Sequence, residues 1–146
     1  MVLKKMTDWL GSLTQKQAND KPTSLYDMIG GEQVTARLCH CFYDIMQTDP
    51  KAAELLAIHK ADLTETRQKF FEFMSGWLGG PPLFEQKYGH PRLRARHLHA
   101  PVNGQMISQW LYCMNLALEQ CVEDKRLRQV IWQNLVPLAQ HMKNQD

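Results

Sequence analysis

The stretch "GGPPLFEQKYGHPRLRARHLHAP", residues 79–101, divides the chain into two helical parts. It begins with a glycine pair and holds four of the seven prolines, so no long helix fits between residues 79 and 103. We expect a loop there, with one helical turn near residues 92–98. Irregular segments of this length inside a compact domain are more often functional than idle.

On both sides of this segment, apolar residues recur every three or four positions, which is the spacing of one helix face. The helix over residues 64–78 is the most aromatic part of the chain, and no alternating strand pattern occurs anywhere. The sequence therefore predicts an all-α fold. The predicted helices cover about residues 24–31, 32–47, 50–57, 64–78, 103–122 and 124–143.

Particular residues mark the ends of these helices. Asp49 is an N-cap followed by a proline at the first helical position. Thr64 is the predicted cap of the aromatic helix, and Asn103 is the predicted cap of the helix that follows the loop. Pro137 lies inside the last helix, where its missing amide predicts a kink or a break.

The composition describes one domain of nearly balanced charge. A chain of 146 residues is long enough for one core, and 17 basic against 15 acidic residues give a net charge of +2. A strong field therefore requires local clustering. The positive run is confined to residues 87–99 and the flanking helices are apolar, which disfavours nucleic acid as a partner.

The termini and the cysteines predict an intracellular protein. Cys39, Cys41, Cys113 and Cys121 lie in helical patterns without the spacing of a disulfide scaffold, so we expect reduced thiols and a cytoplasmic location. Residues 1–23 are predicted to be an N-terminal extension with a short amphipathic helix, and residues 24–146 the domain. There is no apolar stretch of about 18 residues, so we expect no membrane span.

The clustered charge lies around two histidines. His97 and His99 stand among Arg92, Arg94 and Arg96, and guanidinium groups match carboxylates and phosphates. Three interpretations remain open from these residues: a solvated loop, a nucleic-acid contact, and a cradle for an acidic cofactor whose metal a histidine holds. The spacing of the histidines and cysteines matches no standard zinc site.

Among metal cofactors, heme makes the most economical demand on this sequence. It needs one neutral imidazole on the iron, a flat apolar slot, and cations near two propionates. His97 supplies the imidazole, and Arg96 with Lys69 supplies the cations. The aromatic helix and the helix after Asn103 supply the slot.

Three motifs, taken in order, resemble the group II truncated hemoglobins. "SLYDMIGGE" (24–32) is similar to the first helix and glycine pair of that family, and "FYDIM" (42–46) resembles its distal-side helix. "GWLGGPPLFEQKYGHPRLRARH" (76–97) looks like the segment peculiar to group II. The resemblance covers about residues 24–140. It implies a 2-over-2 helical sandwich that carries heme b, preceded by a short pre-helical extension.

The resemblance also implies roles for single residues. His97 matches the proximal iron ligand, and Arg96 and Lys69 match the partners of the heme propionates. Tyr43 and Trp110 match the distal donors to the bound ligand. The remaining members of the implied ligand site are His59, at the corner before the aromatic helix, and Thr66, at the distal gate. The implied pocket wall consists of Phe70, Phe73, Leu83, Phe84, Leu93, Val102 and Met114.

The implied function is reversible binding of dioxygen, and of NO or other small ligands. Several distal donors imply slow release, which suits oxygen capture, NO or peroxide detoxification, or sensing better than bulk transport. One alternative is a heme-free helical interaction or sensory module that uses loop 79–103. Another is a peroxidase-like or NO-dioxygenase enzyme served by an external reductase, because the sequence has no flavin or nicotinamide fingerprint.

Overall fold

The computed structural model describes residues 24–146, so the extension predicted for residues 1–23 lies outside the described part. The described residues form helices and no strands, as predicted. A 3-10 turn, Pro50–Ala52, directly precedes the third helix. The α-helices are α1 (Leu25–Ile29), α2 (Gly31–Thr48), α3 (Ala53–Ala57), α4 (Thr64–Trp77), α5 (Leu83–Tyr88), α6 (Leu93–His97), α7 (Gly104–Cys121) and α8 (Lys125–His141).

Four long helices build the core, with α2 and α4 as one pair and α7 and α8 as the other. Helix α2 packs most extensively on α7 and also on α4, while α7 packs on α8. Their inward faces carry the apolar residues whose spacing predicted the helices. Fully buried side chains on these faces include Leu38, Phe42, Met46, Met74, Met114, Ile131 and Leu135. The short helices α5 and α6 lie at the edge of this core, in the segment quoted at the outset.

The glycine pair at the start of that segment ends α4 and brings α1 close to it. Gly79 has φ +91°, a backbone conformation that favours glycine. A Cβ atom at Gly80 would lie 2.5 Å from the ring of Tyr26. The Tyr26 amide donates to the Leu78 carbonyl at 2.9 Å, so this close approach is hydrogen-bonded as well as packed.

Helix α5 corrects the prediction that residues 83–88 belong to a loop. Pro82 precedes the helix, where a proline removes no helical hydrogen bond. Phe84 is buried, and its ring packs edge-on against Phe73 of α4 at 6.4 Å between centroids. A helix this short owes its stability to tertiary packing, and its few residues show no periodicity. The turn predicted near residues 92–98 is confirmed as α6.

The predicted side-chain cap at Thr64 is wrong, and of the kink or break predicted at Pro137 the break does not occur. The Thr64 side chain does not cap α4; Thr64 is the first helical residue, and its amide donates to Asp62 Oδ1 at 2.9 Å. Pro137 does not break α8, which runs without interruption. It lies on the exposed face one turn before the helix end, and the carbonyl it leaves without an amide belongs to exposed Gln133. The predicted caps at Asp49 and Asn103 are confirmed.

The four cysteines all have free thiols, which agrees with the expected reduced state. Burial raises the pKa of the Cys113 thiol to about 11. Within residues 24–146, no helix combines the length and the apolar character needed to cross a membrane.

Candidate functional site

His97 presents one ring nitrogen with a free lone pair. It is the last residue of α6, and its Nδ1 lies 2.7 Å from the Leu93 carbonyl oxygen. A carbonyl oxygen only accepts, so Nδ1 carries the proton and Nε2 keeps its lone pair. Metal-binding histidines typically have this tautomer and donate the other ring N–H to a carbonyl in this way. The side chain is exposed, yet surrounding protein desolvates the ring and lowers the pKa of His97, which favours the neutral form.

An aromatic cluster joins the predicted distal residues. The ring of Phe42 lies 4.9 Å from Tyr43, 5.2 Å from Phe70 and 5.2 Å from Trp110, measured between centroids. The Tyr43 and Phe70 rings meet edge-on at 5.7 Å, and the Tyr43 and His59 rings meet edge-on at 6.1 Å. Three helices and the corner after α3 therefore bring the predicted distal side chains together.

Two hydrogen-bond donors in this cluster are free. Among residues 24–146, neither the Tyr43 hydroxyl nor the Trp110 indole N–H has a hydrogen-bond partner. Tyr43 is only 5% exposed. Burial raises the pKa of Tyr43 well above the usual tyrosine value, so its hydroxyl keeps its proton. Both donors are therefore available to a ligand or to water.

His59 is held in the same way as His97, through a hydrogen bond at its Nδ1. Its Nδ1 lies 2.8 Å from the Leu55 carbonyl oxygen, so Nδ1 donates and Nε2 is an acceptor at neutral charge. The charge of His59 is also one of the causes that lower the pKa of His97. The two histidines therefore lie close enough for their charges to interact.

A buried amide, which sequence analysis missed, holds the corner that carries His59. Gln109 of α7 accepts from the Leu55 amide at 2.9 Å through Oε1, and its Nε2 donates to Glu54 Oε2 at 2.7 Å. Gln109 is 9% exposed and stands next to Trp110. A single glutamine in an apolar helix gives no sequence signal that separates a clamp from a surface position.

We expect Gln109→Leu to lower the free energy of unfolding by about 1–3 kcal/mol, because the buried Leu55 amide loses its acceptor. Urea denaturation measures this change. Gln105→Leu is the matched control, since Gln105 is exposed on the same helix, and it should change stability by less than about 0.5 kcal/mol. Equal losses in the two variants would contradict the assigned role of Gln109.

The two predicted propionate partners are neighbours, and each already has protein partners. Lys69 pairs with Glu65 at 2.8 Å, and this hydrogen bond raises the pKa of Lys69. Arg96 donates to the Pro91 carbonyl at 2.6 Å and to the Tyr88 carbonyl at 3.3 Å. Repulsion from Arg96 partly offsets the rise in the pKa of Lys69, so the two cations lie near each other and define one edge of the candidate site.

Glu72 and Tyr88 extend this edge and were not among the predicted site residues. Glu72 is 2% exposed; Tyr88 donates to its Oε1 at 3.0 Å and Lys87 lies 2.8 Å from its Oε2. The Lys69 ammonium lies 5.4 Å above the Tyr88 ring. The sequence could have indicated Glu72, because it is a charged residue among the aromatic residues of α4. Tyr88 was not, because α5 itself was not predicted.

The predicted pocket wall divides into three parts. Phe73, Phe84 and Leu93 line one cleft of about 500 Å³, which α8 also lines. Phe70 belongs to the distal cluster, and half-buried Thr66 precedes it by one helical turn on α4. Val102 and Met114 are buried in the core, and Leu83 is half-buried on α5. His99 is exposed two residues beyond His97.

This set of side chains fits heme. The structure offers an imidazole with a free nitrogen lone pair, an aromatic cluster with two unpartnered donors, and two adjacent cations at an apolar edge. Heme requires an axial ligand, an apolar slot and partners for its carboxylates. Within residues 24–146, no group of three or more His, Cys, Asp or Glu side chains is arranged to hold a bare metal ion.

Comparison with known proteins places the chain in a family. Residues 24–144 match the family described as bacterial-like globin. The chain is 38% identical over 120 residues to the group 2 truncated hemoglobin YjbI of Bacillus subtilis, covering 82% of this chain and 88% of that protein.

The fold of the chain is similar to two solved structures. A group II 2-on-2 hemoglobin of Agrobacterium tumefaciens has a TM-score of 0.85 and 41% identity, over 88% of this chain and 99% of that one. A cold-adapted truncated hemoglobin of Pseudoalteromonas haloplanktis has a TM-score of 0.83 and 44% identity, over 85% and 100%. The chain therefore belongs to the bacterial-like globin family, as a group II truncated hemoglobin with the 2-on-2 helical fold.

Proposed function

We propose that this chain holds heme b through His97 and reversibly binds dioxygen, NO or another small diatomic ligand. Membership of the globin family implies heme-based oxygen binding. The observation that carries the proposal for this chain is the His97 ring, whose Nδ1 is held by the Leu93 carbonyl and whose Nε2 is free. The domain that performs this function is proposed to be residues 24–146.

In the proposed binding of the cofactor, residues of α4, α5 and α6 hold the heme. His97 would hold the iron through Nε2, and Arg96 and Lys69 would give up part of their protein contacts to pair with the two propionates. Phe73, Phe84 and Leu93, which line one cleft, would cover part of the macrocycle and keep water from it. The heme supplies an iron that exchanges small ligands.

The distal residues set how long a ligand stays. Tyr43 and Trp110 are proposed donors to the ligand, since both are unpartnered and lie in one aromatic cluster. Dioxygen accepts such bonds well because charge moves onto it when it binds. The His59 ring meets the Tyr43 ring edge-on, and half-buried Thr66 is proposed to occupy the distal gate. Slow release follows, which suits capture, detoxification or sensing better than bulk transport.

Reconstitution with hemin tests the proposal. We expect the purified chain to take up hemin at a ratio of one to one, and its ferrous form to show an optical change with dioxygen that reverses when the gas is removed. Ferric, ferrous and oxygenated spectra measure this directly. Folded protein that stays colourless in hemin would contradict the proposal and favour a heme-free module that uses loop 79–103.

Two further expectations remain predictions. A cytoplasmic location is supported by the four free thiols. An external reductase is the electron donor that any catalytic turnover at this site would require.

A further inference from the structure

Helix α6, which carries His97, has little packing to fix its orientation. None of its five residues, all within the described part of the chain, is buried. It begins after Arg92, whose φ is +43°, and no side chain caps its first turn. Arg96 ties the helix back to the Pro91 carbonyl, on the side where α6 begins. The far end, at His97, therefore depends on hydrogen bonds from elsewhere.

Asn144 supplies those hydrogen bonds. Its side-chain Nδ2 donates to the His97 carbonyl at 3.2 Å and to the Ala100 carbonyl at 3.0 Å. Its Oδ1 accepts from the Val102 amide at 2.9 Å. The Asn144 and Gln145 amides both donate to the Val102 carbonyl, at 2.8 and 3.1 Å. Asn144 thus forms hydrogen bonds to residues 97–102 through its side-chain oxygen, its side-chain nitrogen and its backbone amide.

Asn144 is itself attached to the core through α8. The Lys143 amide donates to the Gln140 carbonyl at 3.2 Å, which continues the end of the helix to the residue before Asn144. On α8, Ile131, Leu135 and Ala139 are buried in the core. The clamp therefore connects an unburied helix to a buried one.

We infer that Asn144 is a positioning residue that fixes the direction of the His97 ring. The inference rests on the proposed function, in which that ring holds the heme iron. The Leu93 carbonyl fixes the ring, and the His97 carbonyl accepts from both Asn144 Nδ2 and the Ala100 amide. Without the Asn144 side chain, the ring keeps its bond to the Leu93 carbonyl, but the His97 backbone loses its hydrogen bond to the segment after α8. Within residues 24–146, only the Asn144 and Gln145 amides on Val102 then hold the loop to that segment, so α6 and the ring it carries are less firmly oriented.

The test compares two Asn144 variants with a matched control. Asn144→Ala removes all three side-chain bonds, and Asn144→Asp keeps the acceptor for Val102 but removes the donors to His97 and Ala100. The control is Asn134→Ala, because the Asn134 side chain also donates to a carbonyl, that of Val130 at 2.7 Å, but far from this loop in the sequence. Asn144→Asp also serves if the alanine variant does not fold.

The first readout is the rate at which heme moves from each holoprotein to excess apomyoglobin. We expect both Asn144 variants to lose heme about tenfold faster than the parent, and Asn134→Ala within about twofold of it. The iron–histidine stretching frequency of the ferrous protein should shift in the Asn144 variants alone. Unchanged heme loss in both Asn144 variants, or the same acceleration in Asn134→Ala, would overturn the inference.

The second readout needs no heme. Hydrogen exchange of the Val102 amide in heme-free protein should be about tenfold faster in Asn144→Ala than in Asn134→Ala. Asn144→Asp should keep the parent's exchange at Val102. Equal exchange in the two alanine variants overturns the clamp. A parent protein that takes up no heme refutes the proposed function instead, so the two failures are distinguished.

Discussion

Replacing His97 with glycine is expected to abolish stable heme binding, and millimolar imidazole is expected to restore it. The glycine removes the imidazole that is proposed to hold the iron, and free imidazole can take its place because the His97 side chain is exposed. The Leu93 carbonyl that accepts from His97 Nδ1 remains to orient the added ring. The measurement is the Soret absorbance of each protein after hemin addition and gel filtration, with and without imidazole.

His99→Gly is the matched control for this experiment. His99 is also exposed and lies two residues further along the same loop. The same substitution there changes backbone freedom to a similar degree but leaves the proposed ligand in place. Heme retention by His97→Gly, together with heme loss from His99→Gly, would transfer the axial role to His99. If neither variant loses heme, neither histidine is the iron ligand.

The sequence predicted the long helices because their burial is periodic. Leu38, Phe42 and Met46 recur on α2, and Ile131 and Leu135 recur on α8, so one face of each helix is apolar and the fold follows from covering it. The break at residues 79–82 was equally visible, since glycine and proline act through the local backbone. Such signals lie within a few residues of one another.

The parts that could not be predicted depend on contacts between residues distant in sequence. Helix α5 forms because Phe84 packs on Phe73, and Gln109 becomes a clamp because the first turn of α3 lies beside it. Asn144 reaches a loop that is more than 40 residues away along the chain. Neither an isolated amide nor a six-residue helix shows such a partner in its own sequence. The family resemblance indicated the candidate site residues, but the residues that hold them in place could be identified only from the structure.

The two sides of the site differ in how their side chains are held. On the proposed distal side, Tyr43 and Trp110 are fixed by ring packing, with Phe42 between them. On the proximal side, His97 is exposed and fixed by hydrogen bonds to carbonyls. Variants of the distal residues should therefore change ligand kinetics while heme is retained. Variants of the proximal supports should change heme retention itself.

Tyr112→Phe is the matched control for the distal assignment, because the partner of the Tyr112 hydroxyl is known. Tyr112 donates to Asp49 Oδ2 at 2.6 Å, so Tyr112→Phe removes a hydroxyl of the same kind from α7 without touching the aromatic cluster around Tyr43. Its dioxygen dissociation rate should stay within about twofold of the parent rate.

Tyr43→Phe is expected to speed dioxygen dissociation by about 10- to 100-fold with heme retained. The variant keeps the ring that packs on Phe42 and Phe70, and removes only a hydroxyl that has no partner among the described residues. A hydrogen bond to a partly charged acceptor contributes about 1.5–3 kcal/mol, and each 1.4 kcal/mol is a factor of ten in rate. Stopped-flow displacement of dioxygen by carbon monoxide measures the rate. If Tyr43→Phe released dioxygen no faster than Tyr112→Phe, the free hydroxyl would not be a ligand donor, and Trp110 would be the remaining candidate.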